Sequence, residues 1–281
     1  MIYILYNSKS KYIQKKHFLD NLKNEFNHSD NTLFDVIGLD YQEFAKRLNS
    51  DDKCYLVGGD GTLNHFVNYV KDIDLPCEFY FYAAGTGNDF LNDCKDYSKD
   101  NKVLLNDLIK DLPVVKVNGM ERRFINGIGF GMDGYVCEEA DKLTLKGKKV
   151  NYTTIALKGI LGGYKFPNAK VIVDNESYEF NKVLIAPTMK GRFYGGGMMI
   201  TPMQDRLNKN RTLTFAIVHD ASRLKIISLF PKIFKGTHYT HKEIFFYKEC
   251  KHVVVEFDTT CALQIDGETV LNVKKYEVSI D

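Results

Sequence analysis

Three short stretches of this chain set glycine beside acid and hydroxyl side chains at spacings that chemistry can use. The first is Gly58-Gly59-Asp60-Gly61-Thr62, entered from the apolar run Tyr55-Leu56-Val57. The second is Gly85-Thr86-Gly87-Asn88-Asp89-Phe90, entered from the apolar residues 79–83, and the third is Gln264-Ile265-Asp266-Gly267-Glu268. A glycine-rich turn lets backbone N–H groups approach an anion with no Cβ in the way. After the first turn Leu63, Phe66, Val67 and Val70 recur at i, i+3, i+4 and i+7, the apolar stripe of a buried helix face. A helix that starts straight after such a turn aims its unsatisfied N–H groups and positive dipole end at whatever the turn holds. That is a phosphate site in outline, and two such turns on neighbouring strands can close around one triphosphate. Asp60 cannot face a phosphate bare, because like charges repel. It must act through Mg²⁺ and its waters or by fixing the turn. On its residues alone, Asp266-Gly267-Glu268 reads as a solvent-facing hairpin turn.

These turns need elements to carry them. Over the first ~120 residues strands and helices alternate: strands at 2–6, 32–37, 53–57, 79–83 and 114–117, helices at 11–26, 41–48 and 103–108. Such alternation with short connections predicts a parallel sheet covered by helices, with ligands at the carboxyl ends of the strands. Beyond residue 120 the pattern becomes mostly β, with strands at 123–128, 169–173, 177–180, 183–186, 212–218, 243–247, 252–257, 262–265 and 269–273. Helical stretches at 150–161 and 224–234 interrupt it. The expectation is an α/β nucleotide-binding domain over 1–120 and a β-rich sandwich over 121–281, whose C-terminal tail can pack back on the first domain. The cleft between domains is the expected ligand site.

The 281 residues, 44% hydrophobic and 26% charged, have the composition of a globular protein, and a net charge of +2 points to no nucleic-acid partner. Charge is uneven, with 12 Lys/Arg against 4 Asp/Glu over 190–251. That excess can meet anionic headgroups or phosphates, or simply be a solvated surface. No apolar run reaches the ~20 residues of a membrane span, and the opening Met1–Tyr6 run reads as a strand, not a signal peptide. Six cysteines with no C-x-x-C pair suggest reduced, mostly buried thiols in the cytoplasm. Gly129-Phe-Gly-Met-Asp-Gly134 matches G-x-G-x-x-G but lies after the domain change with no acid at the dinucleotide spacing, so it is expected to be a turn of the β domain. His238 and His241 have metal-ligand spacing but no completing acid or thiol, and Walker A, G-x-S-x-G and H-E-x-x-H patterns do not occur.

Taken together in order, the three stretches resemble the diacylglycerol kinase catalytic-domain family, in particular its bacterial soluble lipid kinases. Phe124-Ile-Asn-Gly-Ile-Gly-Phe130, Tyr194-Gly-Gly-Gly-Met198 and Phe234-Lys-Gly-Thr-His238 extend the resemblance over nearly the whole chain. It implies an NAD-kinase-like α/β domain with a β sandwich, and phosphoryl transfer from ATP with Mg²⁺ to a lipid hydroxyl at a membrane surface, diacylglycerol to phosphatidic acid. By position it implies nucleotide contacts at Gly58, Gly59, Asp60, Gly61, Thr62, Leu63, Asn64, Gly85, Thr86 and Asn88, and metal ligation by Asp60 and Asp89. Glu268 falls at the family's proton acceptor with Asp266 assisting, which suits an alcohol that must lose a proton to react. Other acceptors fit the same motifs: a sphingoid base, another lipid alcohol or, less well, NAD. A nucleotide-binding regulator without catalysis is the non-enzyme alternative. His65 stands where the family usually carries Glu, Pro113 where it carries an acid, and Asn210-Arg211 where it carries Asp-Gly, so no second metal site is expected. Asp111 or Asp133 could stand in for the acid at 113. Cytoplasmic residence with transient membrane contact follows, and an edge strand could pair two subunits.

Overall fold

In the computed structural model, which describes residues 1–10, 12–15, 17–26 and 31–280, the chain forms two units, residues 1–111 and 112–281. The first is built on strands β1 (Ile2–Tyr6), β2 (Asn31–Asp35), β3 (Lys53–Gly58), β4 (Glu78–Ala83) and β5 (Lys102–Leu104), in sheet order β2-β1-β3-β4-β5. The first four run parallel, while β5 returns antiparallel to β4, so the sheet is mixed. Its helices are α1 (Phe18–Glu25), α2 (Tyr41–Ala45), α3 (Asp60–Tyr69) and α4 (Asp89–Asp93). Asp40 starts α2 by accepting the N–H groups of Gln42 and Glu43, both at 3.0 Å. On α3 the predicted stripe is the buried one: Leu63, Phe66, Val67 and Val70 are all at most 6% exposed. Each such side chain stabilises the fold by roughly 1.5–3 kcal/mol, which fixes the rotation of α3 and hence what its first turn faces.

Two readings of this unit change. Residues 103–108 are not a helix; β5 pairs with β4, and Asn106 then accepts the Phe79 N–H (2.9 Å) and donates to the Cys77 carbonyl (2.9 Å). A short apolar run such as Val103-Leu104-Leu105 suits either state, and the waiting edge of β4 decides it. The helix expected over 11–26 begins at Phe18; Lys11 and Lys16 lie outside the described residues.

The second unit contains β6 (Val114–Val117), β7 (Met120–Arg123), β8 (Gly127–Phe130), α5 (Met132–Leu145), α6 (Tyr152–Lys158), β9 (Ala169–Val173), β10 (Glu176–Phe180) and β11 (Thr188–Met189). It continues through the hairpin β12 (Phe193–Tyr194) and β13 (Met198–Met199), then β14 (Leu213–Val218), α7 (Arg223–Phe234), β15 (Phe245–Cys250), β16 (His252–Ile265) and β17 (Glu268–Ser279). The main sheet runs β15-β14-β11-β8-β16-β17-β6-β7, with β9 and β10 attached to β16. Strand β6 therefore does not join the parallel sheet; it pairs antiparallel with β17. Its Val-Val-Lys-Val pattern specifies a strand but not a neighbour. The long β16 serves two partners on one edge, β9 through residues 253–257 and β8 through 263–265. The strand expected over 123–128 is split into β7 and β8, and 183–186 is reduced to bridges at Ile185. Phe130, Phe215, Phe257 and Tyr276 fill the core, with Phe130 and Phe257 stacked at 3.9 Å between centroids.

Helix α5 is a correction: residues 129–134 form the end of a strand and the start of a helix, not a β turn. Gly131 precedes the helix at φ 101°, a conformation open to glycine. A Cβ on Gly134 would lie 1.8 Å from the Ala262 carbonyl oxygen, so α5 packs on β16 through glycine. Contact made by a missing side chain leaves no apolar stripe to read.

Candidate active site

The two glycine turns of the first unit are one assembly. They follow adjacent parallel strands, β3 and β4, and meet backbone to backbone: a Cβ on Gly85 would sit 2.7 Å from Gly59 Cα. The Ala84 N–H donates to the Gly58 carbonyl at 2.7 Å. Gly58 leaves the space that Thr62 fills, since a Cβ there would be 2.6 Å from the threonine's Cβ and Oγ1. The carboxylate of Asp60 ties the assembly together. Its Oδ2 accepts the Asp89 N–H (3.0 Å) and its Oδ1 the Phe90 N–H (2.9 Å), satisfying the start of α4 from the start of α3. Asn88, at φ 50°, turns its Oδ1 back to the Gly85 N–H at 3.0 Å.

Within this assembly the expected contact residues divide by exposure. Gly61 and Thr86 are exposed, a Cβ on Gly61 would meet nothing within 4 Å, and Gly59, Gly85 and Asn88 are half-buried. Thr62, Leu63 and Asn64 are buried, at 8%, 0% and 1%, and serve the packing of α3. The open place thus lies over the first turn of α3, where helix N–H groups and dipole favour an anion.

The expected metal ligands are placed differently from a metal site. Both Asp60 oxygens accept backbone N–H groups, Asp89 is 6% exposed, and among the described residues no three His, Cys, Asp or Glu side chains cluster as ligands. This donor set does not fit a Mg²⁺ caged by the protein. Of the two roles open to Asp60, fixing the turn is the one its geometry performs.

In the second unit Asp266 and Gly267 form the two-residue turn between β16 and β17, with φ of 46° and 90°, both positive as a type I′ turn requires. The Asp266 side chain does structural work. Its carboxylate accepts three successive backbone N–H groups, from Ile125 (2.6 Å), Asn126 (2.9 Å) and Gly127 (3.0 Å). This anchors the segment between β7 and β8. From its other side Arg206, 3% exposed, donates to the Ile125 carbonyl and to Asn126 Oδ1 (2.8 Å for the latter). Asp266, expected to assist catalysis, is here a clamp on the backbone.

Glu268 is the acid turned elsewhere. Half-buried at the first position of β17, it forms an ion pair with Arg122 of β7. The guanidinium offsets the carboxylate charge and fixes its direction. Sequence reasoning missed Arg122 and Arg206. Neither belongs to a glycine motif, and their partners lie 146 and about 80 residues away. A third polar feature joins two motifs: Tyr194 Oη, at the head of the Tyr-Gly-Gly-Gly hairpin, donates to Asp133 Oδ2 at 2.7 Å. Burial pushes the Asp133 carboxyl up to about 7, against the lowering effect of the Tyr194 hydrogen bond.

Comparison with known proteins shows the family and the fold. Residues 1–117 match the diacylglycerol kinase catalytic domain, and residues 126–277 match the YegS C-terminal NAD kinase beta sandwich-like domain. The "Diacylglycerol kinase" of two Mycobacterium tuberculosis strains is 25% identical over 200 residues, covering 69% of this chain. The chain matches 63% of the length of those mycobacterial relatives. The crystal structure of a diacylglycerol kinase from Bacillus anthracis str. Sterne superimposes with a TM-score of 0.65 at 19% identity, over 99% of this chain and 93% of that one, a likeness of fold. With its first unit matched to the catalytic domain and most of its second to the sandwich domain, the chain belongs to the diacylglycerol kinase catalytic-domain family.

Proposed function

We propose that the protein is a lipid kinase that transfers the γ-phosphoryl group of ATP, bound as its Mg²⁺ complex, to a lipid hydroxyl, diacylglycerol being the acceptor of choice. The observation that carries this reading is the joined pair of glycine turns, held by Asp60, with the open first turn of α3 above Gly61. The phosphates would rest on those backbone groups, and a Mg²⁺ brought in with the nucleotide would supply neutralisation of phosphate charge there. Glu268 accepts the hydroxyl proton as the new O–P bond forms and the bond to the ADP oxygen breaks. Arg122 holds the carboxylate in one orientation. Because the transition state is loose, positioning and charge neutralisation supply most of the acceleration. The lipid substrate places the work at a membrane surface, without a span: no helix among the described residues is long and apolar enough to cross a bilayer.

Incubation with γ-labelled ATP and a lipid extract tests this reading. Labelled phosphatidic acid supports it, and a labelled sphingoid base or other alcohol redirects the acceptor. Glu268→Gln should cost at least about 10²-fold in turnover with nucleotide affinity nearly unchanged, the range for removing a general base. Full activity in that variant removes Glu268 from the role. The engagement of Asp266 by backbone and of Glu268 by Arg122 also favours a second reading, a nucleotide-binding regulator. ATP binding with no labelled lipid from any fraction would select it.

A further inference from the structure

Gln264 is a buried amide with one end paired and the other not. It lies on β16 at 4% exposure, directly across from Gly129 of β8 and Thr269 of β17. Directly opposed residues share one face of an antiparallel sheet, and α5 covers this face. The Asp133 carboxylate fills the space over Gly129, where a Cβ would sit 2.5 Å from its Oδ2. Asp141 Oδ2 accepts the Thr269 hydroxyl at 2.6 Å. Gln264 Oε1 accepts the Gly267 N–H at 2.7 Å. Only the oxygen of an amide can meet an N–H, so this bond fixes which way the amide faces. Its Nε2, a double donor, finds no partner among the described residues. A buried donor left unsatisfied costs more than one neutral hydrogen bond returns. An apolar side chain of the same length would fill the place without that cost.

The paired end reaches a sensitive peptide. The peptide joining the two turn residues, Asp266 and Gly267, is the one whose rotation interconverts type I′ and type II′ turns. The Gly267 N–H belongs to that peptide, so Gln264 holds it in one setting. Gly267 offers little resistance of its own, since glycine adopts either sign of φ. On the other side of the turn the Asp266 carboxylate is held by the N–H groups of residues 125–127. Glu268 follows at once, opposite Ile265, and pairs with Arg122. The backbone at 267 therefore sets where the Glu268 side chain starts, and the ion pair sets where it ends.

We infer that Gln264 is a positioning residue for the proton acceptor: by locking the 266–267 peptide it aims the Glu268 carboxylate at the acceptor hydroxyl. That role rests on the lipid-kinase reading above, and the experiment separates the two. The parent, Gln264→Met, Glu268→Gln and the double variant are compared for transfer from γ-labelled ATP to a short-chain diacylglycerol. Gln264→Met should lower kcat by at least about tenfold with KM for ATP within about twofold, as for a misdirected catalytic group. Its urea midpoint should equal or exceed the parent's, because methionine removes the unpaired donor and fills the same space. In the Glu268→Gln background the same change should lower the residual kcat by less than about twofold, since a residue acting through Glu268 has nothing left to aim. Exchange of the Gly267 amide should be at least about tenfold faster in Gln264→Met. Unchanged kcat in Gln264→Met, with an active parent, overturns the positioning role. So does an equal loss in both backgrounds, which would make Gln264 a packing residue. No labelled lipid from the parent, with Gly267 exchange still dependent on Gln264, removes the kinase reading and the aim with it.

Discussion

Asp266 offers a measurement that separates a structural acid from a catalytic one. Its carboxylate holds three successive N–H groups at 2.6, 2.9 and 3.0 Å, all on residues that are themselves buried. A hydrogen bond to a charged group contributes about 1.5–3 kcal/mol net, and Asp266 is half-buried, so the lower end applies. Three such bonds sum to about 4 kcal/mol. Asp266→Asn keeps one acceptor oxygen but turns an NH₂ group toward backbone donors, so a loss of about 2–3 kcal/mol is expected. Asparagine tolerates the φ of 46°, which makes that figure a hydrogen-bond effect. Asp266→Ala loses all three bonds and adds roughly 1 kcal/mol for the left-handed backbone. The ranking is parent, then Asn, then Ala. Because a chain of two units need not unfold in one step, the local readout is hydrogen exchange over residues 124–130. A loss of 3 kcal/mol corresponds to opening more frequent by roughly 10²-fold. Exchange in both variants within about twofold of the parent, with stability changed by less than about 0.5 kcal/mol, refutes the clamp. If activity nonetheless vanished in those variants, Asp266 would return to the chemistry.

Four further outcomes follow from particular positions. Asp60→Ala removes the acceptor of the Asp89 and Phe90 N–H groups and should destabilise the first unit by about 2–3 kcal/mol, read by urea unfolding and exchange at 89–90. A wild-type profile there would deny Asp60 its tie. Gly134→Ala would force a Cβ to within 1.8 Å of the Ala262 carbonyl oxygen, and a loss of roughly 3 kcal/mol or failure to accumulate is expected; Gly61→Ala, with open space around it, should leave thermal stability unchanged or raised by up to about 1 kcal/mol. For Asp133, burial raises the folded carboxyl from its ordinary 3.8 to about 7, so between those values the folded state keeps a proton that the unfolded chain has lost. Stability should therefore fall as pH rises from about 4 to about 7 and level off above, by at most about 4 kcal/mol and less given partial exposure. Asp133→Asn should flatten that slope in urea titrations across pH, and an unchanged slope would assign it to other groups.

Local pattern and tertiary contact divide this protein cleanly. The strands and turns at 58–62 and 85–90 were legible because glycine, a hydroxyl and an apolar stripe at helical spacing are properties of contiguous residues. The Asp266-Gly267 hairpin was legible for the same reason. Helix α5 was not, because it packs through Gly134, nor was β5, whose residues suit two states until β4 offers an edge. The jobs of the acids lay further out of reach. Composition and the order of motifs along the chain determined a chain of this family whose first unit carries two glycine turns after neighbouring strands. Only the tertiary structure decided that Asp60 and Asp266 are backbone clamps while Glu268 faces Arg122. A carboxylate serves whichever donors surround it, and here those donors come from residues 29 to 146 positions away, a distance across which no local pattern carries information.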